Sequence, residues 1–327
     1  MMPQDEKKPL MPASELLVAP GPHIWSGLSI SKVMYIVVGA LLLPVAASVY
    51  FFGIRSLFVI ITSVVFSLIT EWLSRKLRNK PFIMDGSAVV TGILLALVLP
   101  PGISLWMIAV GAVFAIAIVK EAFGGLGQNV FNPALAARAF MSASFAKPMT
   151  TWLIPRTVDG ITSATPLAKG FVFPSSLAAR LALYKDMFIG NRVGSLGETS
   201  VVAILVGGLI LIALQIIDWR IPVTYLGTVI VLSFAFGEDP LFQLMVGGLM
   251  LGAFFMATDY VTSPLTHRGR IIFGLGCGLV TMVIRLWGGL PEGVCYSILF
   301  MNAMTPIIDR YVKVRPLGLK KAVRNAA

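Results

Sequence analysis

The residues best suited to chemistry lie in one polar run, Asp159-Gly160-Ile161-Thr162-Ser163-Ala164-Thr165-Pro166-Leu167, which interrupts a very apolar chain. A side-chain hydroxyl that is to be esterified needs an exposed, extended piece of chain with little bulk beside it. Gly160, Ser163 and Ala164 supply the small neighbours, and Pro166 restricts the backbone just beyond Thr165. Asp159 stands where it can accept hydrogen bonds from loop amides. The plainer reading is that Asp-Gly is a turn signal and that Ser/Thr clusters are ordinary loop composition. Spacing alone leaves both readings open, with Thr162 and Thr165 as rival acceptors.

Other polar groups stand in or near apolar runs, where an ionised side chain is costly and faces a partner or a cavity. Arg138 and Arg285 are two of these, each open to a structural pairing as well as to a cofactor role. A cation at Arg138, just after the helix-breaking Asn132-Pro133 pair, would stabilise negative charge on a bound cofactor. Asp259 is flanked by Thr258, Tyr260, Thr262 and Ser263, a set of oxygens suited to a hard cation such as Na⁺; the alternative is an ordinary interfacial carboxylate. Asp259 and Thr262 are therefore the ion-path candidates. Only His23 and His267 exist, both outside the apolar runs, which leaves no bis-histidine haem site. Cys277 and Cys295 have no C-x-x-C spacing and read as buried thiols; no metal site or catalytic group is expected. The Gly-rich stretches around Gly207, Gly248 and Gly276 lie inside apolar spans and read as close helix packing, not as nucleotide loops.

The elements that must position these groups follow from composition. The 327 residues are 57% hydrophobic and 13% charged, against about 25% charged in soluble domains, and mean hydropathy is +0.87. An all-α polytopic membrane protein is expected. Ten candidate spans are visible: 33–52, 57–73, 87–99, 105–119, 130–145, 199–217, 223–236, 241–257, 271–286 and 294–308. Several are short for a full crossing of roughly 20 residues, which predicts broken or protein-buried helices. The organisation expected is a tail 1–32, a first membrane half 33–146, a loop 147–198, a second membrane half 199–309 and a basic tail 310–327. The first residues do not read as a cleaved signal.

The net charge of +11 reads as membrane topology, with no nucleic-acid partner expected. Lys and Arg cluster before the first span, after the second, fourth, sixth and eighth, and beyond the tenth. That places both termini in the cytoplasm and the 147–198 loop, with Thr165, outside it. The stretch Phe123–Arg138 resembles Met256–Arg270, each centred on a helix-breaking pair. Five spans on either side of the long loop predict two inverted repeats, the plan of many transporters.

The Thr165 run, the segment GQNVFNPALAARAF and the closing GGLPEGVCYSILFMNAMTPIIDR together resemble one family of membrane redox proteins. It contains the D component of the Rnf ferredoxin:NAD complex (an ion-translocating oxidoreductase) and the B component of the sodium-pumping NADH:quinone oxidoreductase. The resemblance spans nearly the whole chain, and the short N-terminal tail favours the first type. It implies that Thr165 carries FMN as a phosphoester, since the family's acceptor follows Ala; Ser163 stands where Gly is commoner. It also implies one part of a redox-driven translocase, not catalytic alone, that moves Na⁺ or H⁺ across a prokaryotic cytoplasmic (inner) membrane. The partners implied are the other Rnf components: an exterior FMN-bearing one (RnfG), two in the membrane (RnfA and RnfE) and two in the cytoplasm (RnfB and RnfC). A flavin transferase is implied as well. A second, non-covalent flavin (riboflavin) among the spans is a further implication, with Asn129, Asn132 and Arg138 as its candidate contacts. A non-redox channel or transporter of inverted halves explains the spans but not the acceptor run.

Overall fold

The computed structural model describes residues 29–155, 162–163, 173–174, 176–288 and 293–313. Asp159, Gly160, Ala164 and Thr165 lie outside the described residues. Each predicted span is a helix, and several are short or broken. The helix α1 (Ile30–Phe52) starts at Ser29, whose hydroxyl accepts Lys32 N at 3.2 Å. It meets α2 (Ile54–Leu77) at Gly53, whose φ of 72° only glycine adopts freely. The helix α3 (Ser87–Leu97) is short. Next, α4 (Leu105–Val113) widens without a break into a π-helical stretch, Phe114–Glu121, a feature common at functional sites. The helix α5 (Pro133–Ser144) carries its proline in the first turn, where a missing N–H costs nothing.

Between the halves lie α6 (Ala146–Met149), the strands β1 (Trp152–Leu153) and β2 (Thr162–Ser163), and α7 (Leu177–Ile189). The last is an ordered helix where only a loop was expected. The second half has α8 (Val201–Ala213), α9 (Arg220–Ala235), α10 (Pro240–Met245), α11 (Leu249–Leu251) with a π-helical continuation Gly252–Met256, α12 (His267–Trp287) and α13 (Val294–Tyr311). The span expected over 241–257 is thus broken at 246–248, where Gly247 and Gly248 both have positive φ.

Packing follows a regular plan. In the first half α2 lies on α3, α4 and the π-helical stretch; in the second, α9 lies on α10 and α12. Across the halves α1 meets α8 and α5 meets α13. Small residues permit the closest approaches: a Cβ on Gly207 of α8 would come within 2.8 Å of Ala40 O on α1. The core is aliphatic, with Leu95, Leu97, Leu99, Ile108, Leu135 and Phe273 almost wholly enclosed. Outside, Leu42, Tyr50, Phe58, Ile69, Leu209 and Phe234 remain exposed, an apolar surface that lipid covers. Among the described residues three helices, α1, α2 and α12, are long and apolar enough to cross a membrane. The chain is a membrane protein.

Short helices inside apolar surroundings leave peptide groups to be bonded. The end of α3 is completed by the segment before α8: Leu196 N donates to Leu99 O (3.1 Å) and Gly197 N to Leu97 O (2.6 Å). The end of α10 is completed by two arginines. Arg285 of α12 donates to Gln243 O and Val246 O, both at 2.7 Å, and Arg192 donates to Met245 O. Arg285 therefore holds backbone carbonyls at the break after α10.

The α2–α3 contact supplies a stability test. A Cβ on Gly92 would sit 2.8 Å from Val64 Cα, whereas one on Gly39 of α1 would meet nothing within 4 Å. Gly92→Ala should cost roughly 1–3 kcal/mol through overpacking. Gly39→Ala should be neutral or stabilising by up to about 1 kcal/mol. Thermal unfolding of both variants in detergent measures the difference.

Candidate functional site

The two breaks predicted from Asn132-Pro133 and Ser263-Pro264 come together at one end of the bundle. Asn132 is the link. Its Oδ1 accepts Ala134 N (3.1 Å) and Leu135 N (3.2 Å), capping α5, while its Nδ2 donates to Met256 O (3.3 Å) in the other half. In the amide orientation that pairs both its ends, Asn302 of α13 accepts Asn132 N at 3.1 Å and donates to Ile298 O at 3.2 Å. Both halves are thereby tied at a single buried residue.

Beside this link lies a cavity of about 90 Å³, partly open to its surroundings. Val33, Met34 and Val37 of α1 form one wall, and Val90, Thr91 and Leu94 of α3 the next. Phe254 and Phe255 of the second π-helical stretch supply flat aromatic surface. The polar groups on the walls are few: Ser87, Lys120, Asn129, Asn132, Thr258 and Asp259. Asn129 spends Nδ2 on Phe131 O (3.1 Å). Asp259 Oδ2 accepts Thr262 Oγ1 (3.2 Å) and its Oδ1 accepts Val261 N (3.4 Å). No cation among the described residues pairs with it.

The structure thus brings Asn129, Asn132 and Asp259 to one cavity, with Thr262 behind Asp259. Arg138 is buried on α5 and is not among the residues that line the cavity. Thr258 Oγ1 donates to Phe254 O at 2.6 Å. No metal-holding group of His, Cys, Asp and Glu occurs among the described residues.

Sequence reasoning missed the most conspicuous group. Lys120 reads in sequence as a charge flanking a span, yet its side chain is 2% exposed. Its Nζ donates to Glu71 Oε1 (2.7 Å) and to Ser87 Oγ (2.6 Å). Glu71 also pairs with Arg75 (3.1 Å), and Arg75 reaches Asp85 (3.5 Å) and Glu121 (3.6 Å). Glu121 in turn pairs with Arg78. The signal was opposite charge at the ends of two apolar runs, Glu71-Arg75 after one and Lys120-Glu121 after another. Asp85 anchors the network to α3, its Oδ1 accepting Ser87 N (2.9 Å) and Ser87 Oγ. Burial pushes the Asp85 carboxyl up, but those Ser87 hydrogen bonds and the charges of Lys120 and Arg75 outweigh it and hold the carboxyl below its usual range. A comparable cluster in the other half joins Asp218 to Arg270 (2.6 Å) and Arg220 (3.0 Å).

Of the hydroxyl run, Thr162 and Ser163 are described as backbone. They pair antiparallel with β1, Leu153 facing Thr162 and Trp152 facing Ser163. Trp152 is buried, and Leu153 packs on Gly102 in the α3–α4 turn, where Arg55 donates to Gly102 O at 2.9 Å. An extended edge, Thr162–Ser163, therefore lies against β1.

A depressed carboxyl stabilises the fold above the ordinary aspartate range, near about 3.9, and that contribution disappears as pH falls through the folded value. Asp85→Asn should lower stability at pH 7 by roughly 1–2 kcal/mol and flatten the acid side of a plot of unfolding midpoint against pH. A variant whose acid-side slope equals that of the parent would contradict this.

Comparison with known proteins agrees with this architecture. The model of the NQR2, RnfD, RnfE family matches residues 17–318. The relatives are D components of ion-translocating oxidoreductase complexes. The chain is 48% identical over 319 residues to that of the proton-translocating ferredoxin:NAD(+) oxidoreductase complex of Clostridium ljungdahlii, covering 93% of this chain and 96% of that one. It is 49% identical over 315 residues to that of the Na(+)-translocating ferredoxin:NAD(+) oxidoreductase complex of Acetobacterium woodii, covering 95% and 98%. It is also 37% identical over 303 residues to that of the ion-translocating oxidoreductase complex of Methanosarcina acetivorans, covering 92% and 96%. A full-length match to the family model and identity near one half across whole chains have one meaning: this chain belongs to the NQR2, RnfD, RnfE family, on its RnfD side.

Proposed function

We propose that the chain is the membrane-embedded D component of an ion-translocating ferredoxin:NAD oxidoreductase complex, and that it passes electrons through FMN esterified to Thr165. The names of its relatives support the complex. The acceptor run carries the flavin assignment, because its hydroxyls follow a β-edge held extended by Trp152 and Leu153. The phosphoester joins the flavin phosphate to Thr165 Oγ1, and the flavin supplies reversible uptake of electrons. The chain's own part is to supply that hydroxyl, with the small residues Ser163 and Ala164 before it in sequence.

The same reading gives ten spans in two inverted halves, with α1 matching α8, α2 matching α9, α3 matching α10 to Met256, α4 to Glu121 matching α12, and α5 matching α13. The largest packing pairs then correspond: α2 on α3 and α4 answers α9 on α10 and α12, and α5 on the first π-helical stretch answers α13 on α12. That pairing supersedes the motif alignment of Phe123–Arg138 with Met256–Arg270, which would match α5 to α12. Both termini lie in the cytoplasm and the Thr165 loop outside it. The partners are an exterior FMN-bearing protein, two further membrane proteins and two cytoplasmic proteins of the complex, and a flavin transferase. The partly open cavity is where we place the edge of the second, non-covalent flavin: Phe254 and Phe255 offer surface for a planar ring, and Lys120, Asn129 and Asn132 are polar groups on its wall. Coupling to Na⁺ or H⁺ follows the relatives, which are of both kinds.

The test is covalent flavin on the chain under denaturing conditions. Thr165→Ala should abolish in-gel flavin fluorescence and the added mass of FMN minus water, while Thr162→Ala should keep both. Fluorescence that persists in Thr165→Ala, or vanishes only in Thr162→Ala, would refute the assignment.

A further inference from the structure

We infer that Lys120 sets the redox potential of the ring held in the cavity, acting as the fixed cation at its polar edge; this rests on the reading that the cavity takes a non-covalent flavin. Lys120 lies on the π-helical stretch, lines the cavity and is 2% exposed. An ammonium has three N–H donors. Two are spent, on Glu71 Oε1 (2.7 Å) and Ser87 Oγ (2.6 Å), and the third has no partner among the described residues. The two oxygens also fix where the ammonium sits. Ser87 is itself locked, because its hydroxyl donates to Asp85 and so presents a lone pair to Lys120. Glu71 is locked by Arg75 at 3.1 Å.

A preorganised cation in surroundings of low polarity acts strongly on charge that appears beside it. Each electron taken up by a flavin increases the electron density on the polar edge of its ring. Lys120 therefore favours the reduced form over the oxidised one and raises the potential, without forming or breaking a bond.

The obvious objection is that Lys120 only neutralises Glu71. The experiment separates the two roles, using the full-length chain in its complex as wild type, Lys120→Met, Lys120→Arg and the double variant Lys120→Met/Glu71→Gln. Covalent fluorescence on each chain reports folding and maturation. Flavin released by denaturation reports cavity occupancy, and potentiometric titration with riboflavin as the reference compound reports its potential. Lys120→Met should favour the oxidised form about tenfold, a fall of about 30 mV for a two-electron couple. Lys120→Arg should recover most of it, and the double variant only part, since Lys120 lines the cavity and Glu71 does not. An unchanged potential in Lys120→Met, or full recovery in the double variant, would make Lys120 a purely structural partner of Glu71 and overturn the inference. A wild-type chain with covalent fluorescence but no releasable flavin would instead refute the cavity reading and this inference with it.

Discussion

A helix that stops inside a membrane leaves peptide N–H and C=O groups with no water to bond them, and each one left bare costs several kcal/mol. The molecule meets this constraint at every break it makes. Leu196 and Gly197 supply N–H groups to the end of α3. Arg192 and Arg285 supply guanidinium donors to the end of α10. Asn132 satisfies the start of α5 and a carbonyl at the end of the second π-helical stretch at once. Most of these bonds run between segments far apart in sequence, so satisfying the breaks is also what joins the two halves. Removing any of these donors would expose a backbone group and loosen the joint together.

The breaks create room as well as obligation. An 11-residue helix such as α3 is about 16 Å long, little more than half of a bilayer core, so the space beyond its start must be filled by loops, side chains or a ligand. Loops fill it at the Gly102 end. At the other end the filling is incomplete, and the cavity results. Its few polar groups come from the same breaks that made it: Asn129 and Asn132 from one, Thr258 and Asp259 from the other. Lys120 joins them because the π-helical stretch shifts the register of its last turn relative to an α-helix, and it turns inward toward Ser87 and Glu71.

Much of this was legible in sequence. The spans were, since lipid-facing and core-facing surfaces are both apolar and every helix of the two halves shows as a hydropathy run. The interruptions were legible as shortness and as the Asn132-Pro133 and Ser263-Pro264 pairs. The residues of the cavity were partly legible for the same reason, because a polar side chain beside a break has backbone groups to serve. What stayed hidden depends on direction. A lysine that ends an apolar run can point to headgroups or turn back into the protein, and the linear chain around Lys120 does not distinguish the two; its partner Glu71 is 49 residues away. Arg138 had the same ambiguity and resolved the other way, buried on α5 but off the cavity wall. The helix α7 was hidden because its apolar side, Leu183, Tyr184 and Met187, packs on Phe242 and Val246 of a distant segment; around Leu177 and Leu181 it stays exposed.

The element on which both ends of the molecule converge is α3. Ser87, Thr91 and Leu94, from its first half, line the cavity, while carbonyls at and just beyond its end receive Leu196 and Gly197. The turn that follows carries Gly102, against which Leu153 of β1 packs, and β1 in turn holds the strand leading to Thr165. Its sides are closed by α1, α2 and α5, and Ser63 Oγ donates to Gly92 O at 2.7 Å from within α2. A helix gripped in this way cannot tilt without breaking bonds at both ends. The placement of the acceptor strand and the shape of the cavity are therefore one structural problem. Ser63, Gly92 and Gly197 bear on both without touching either.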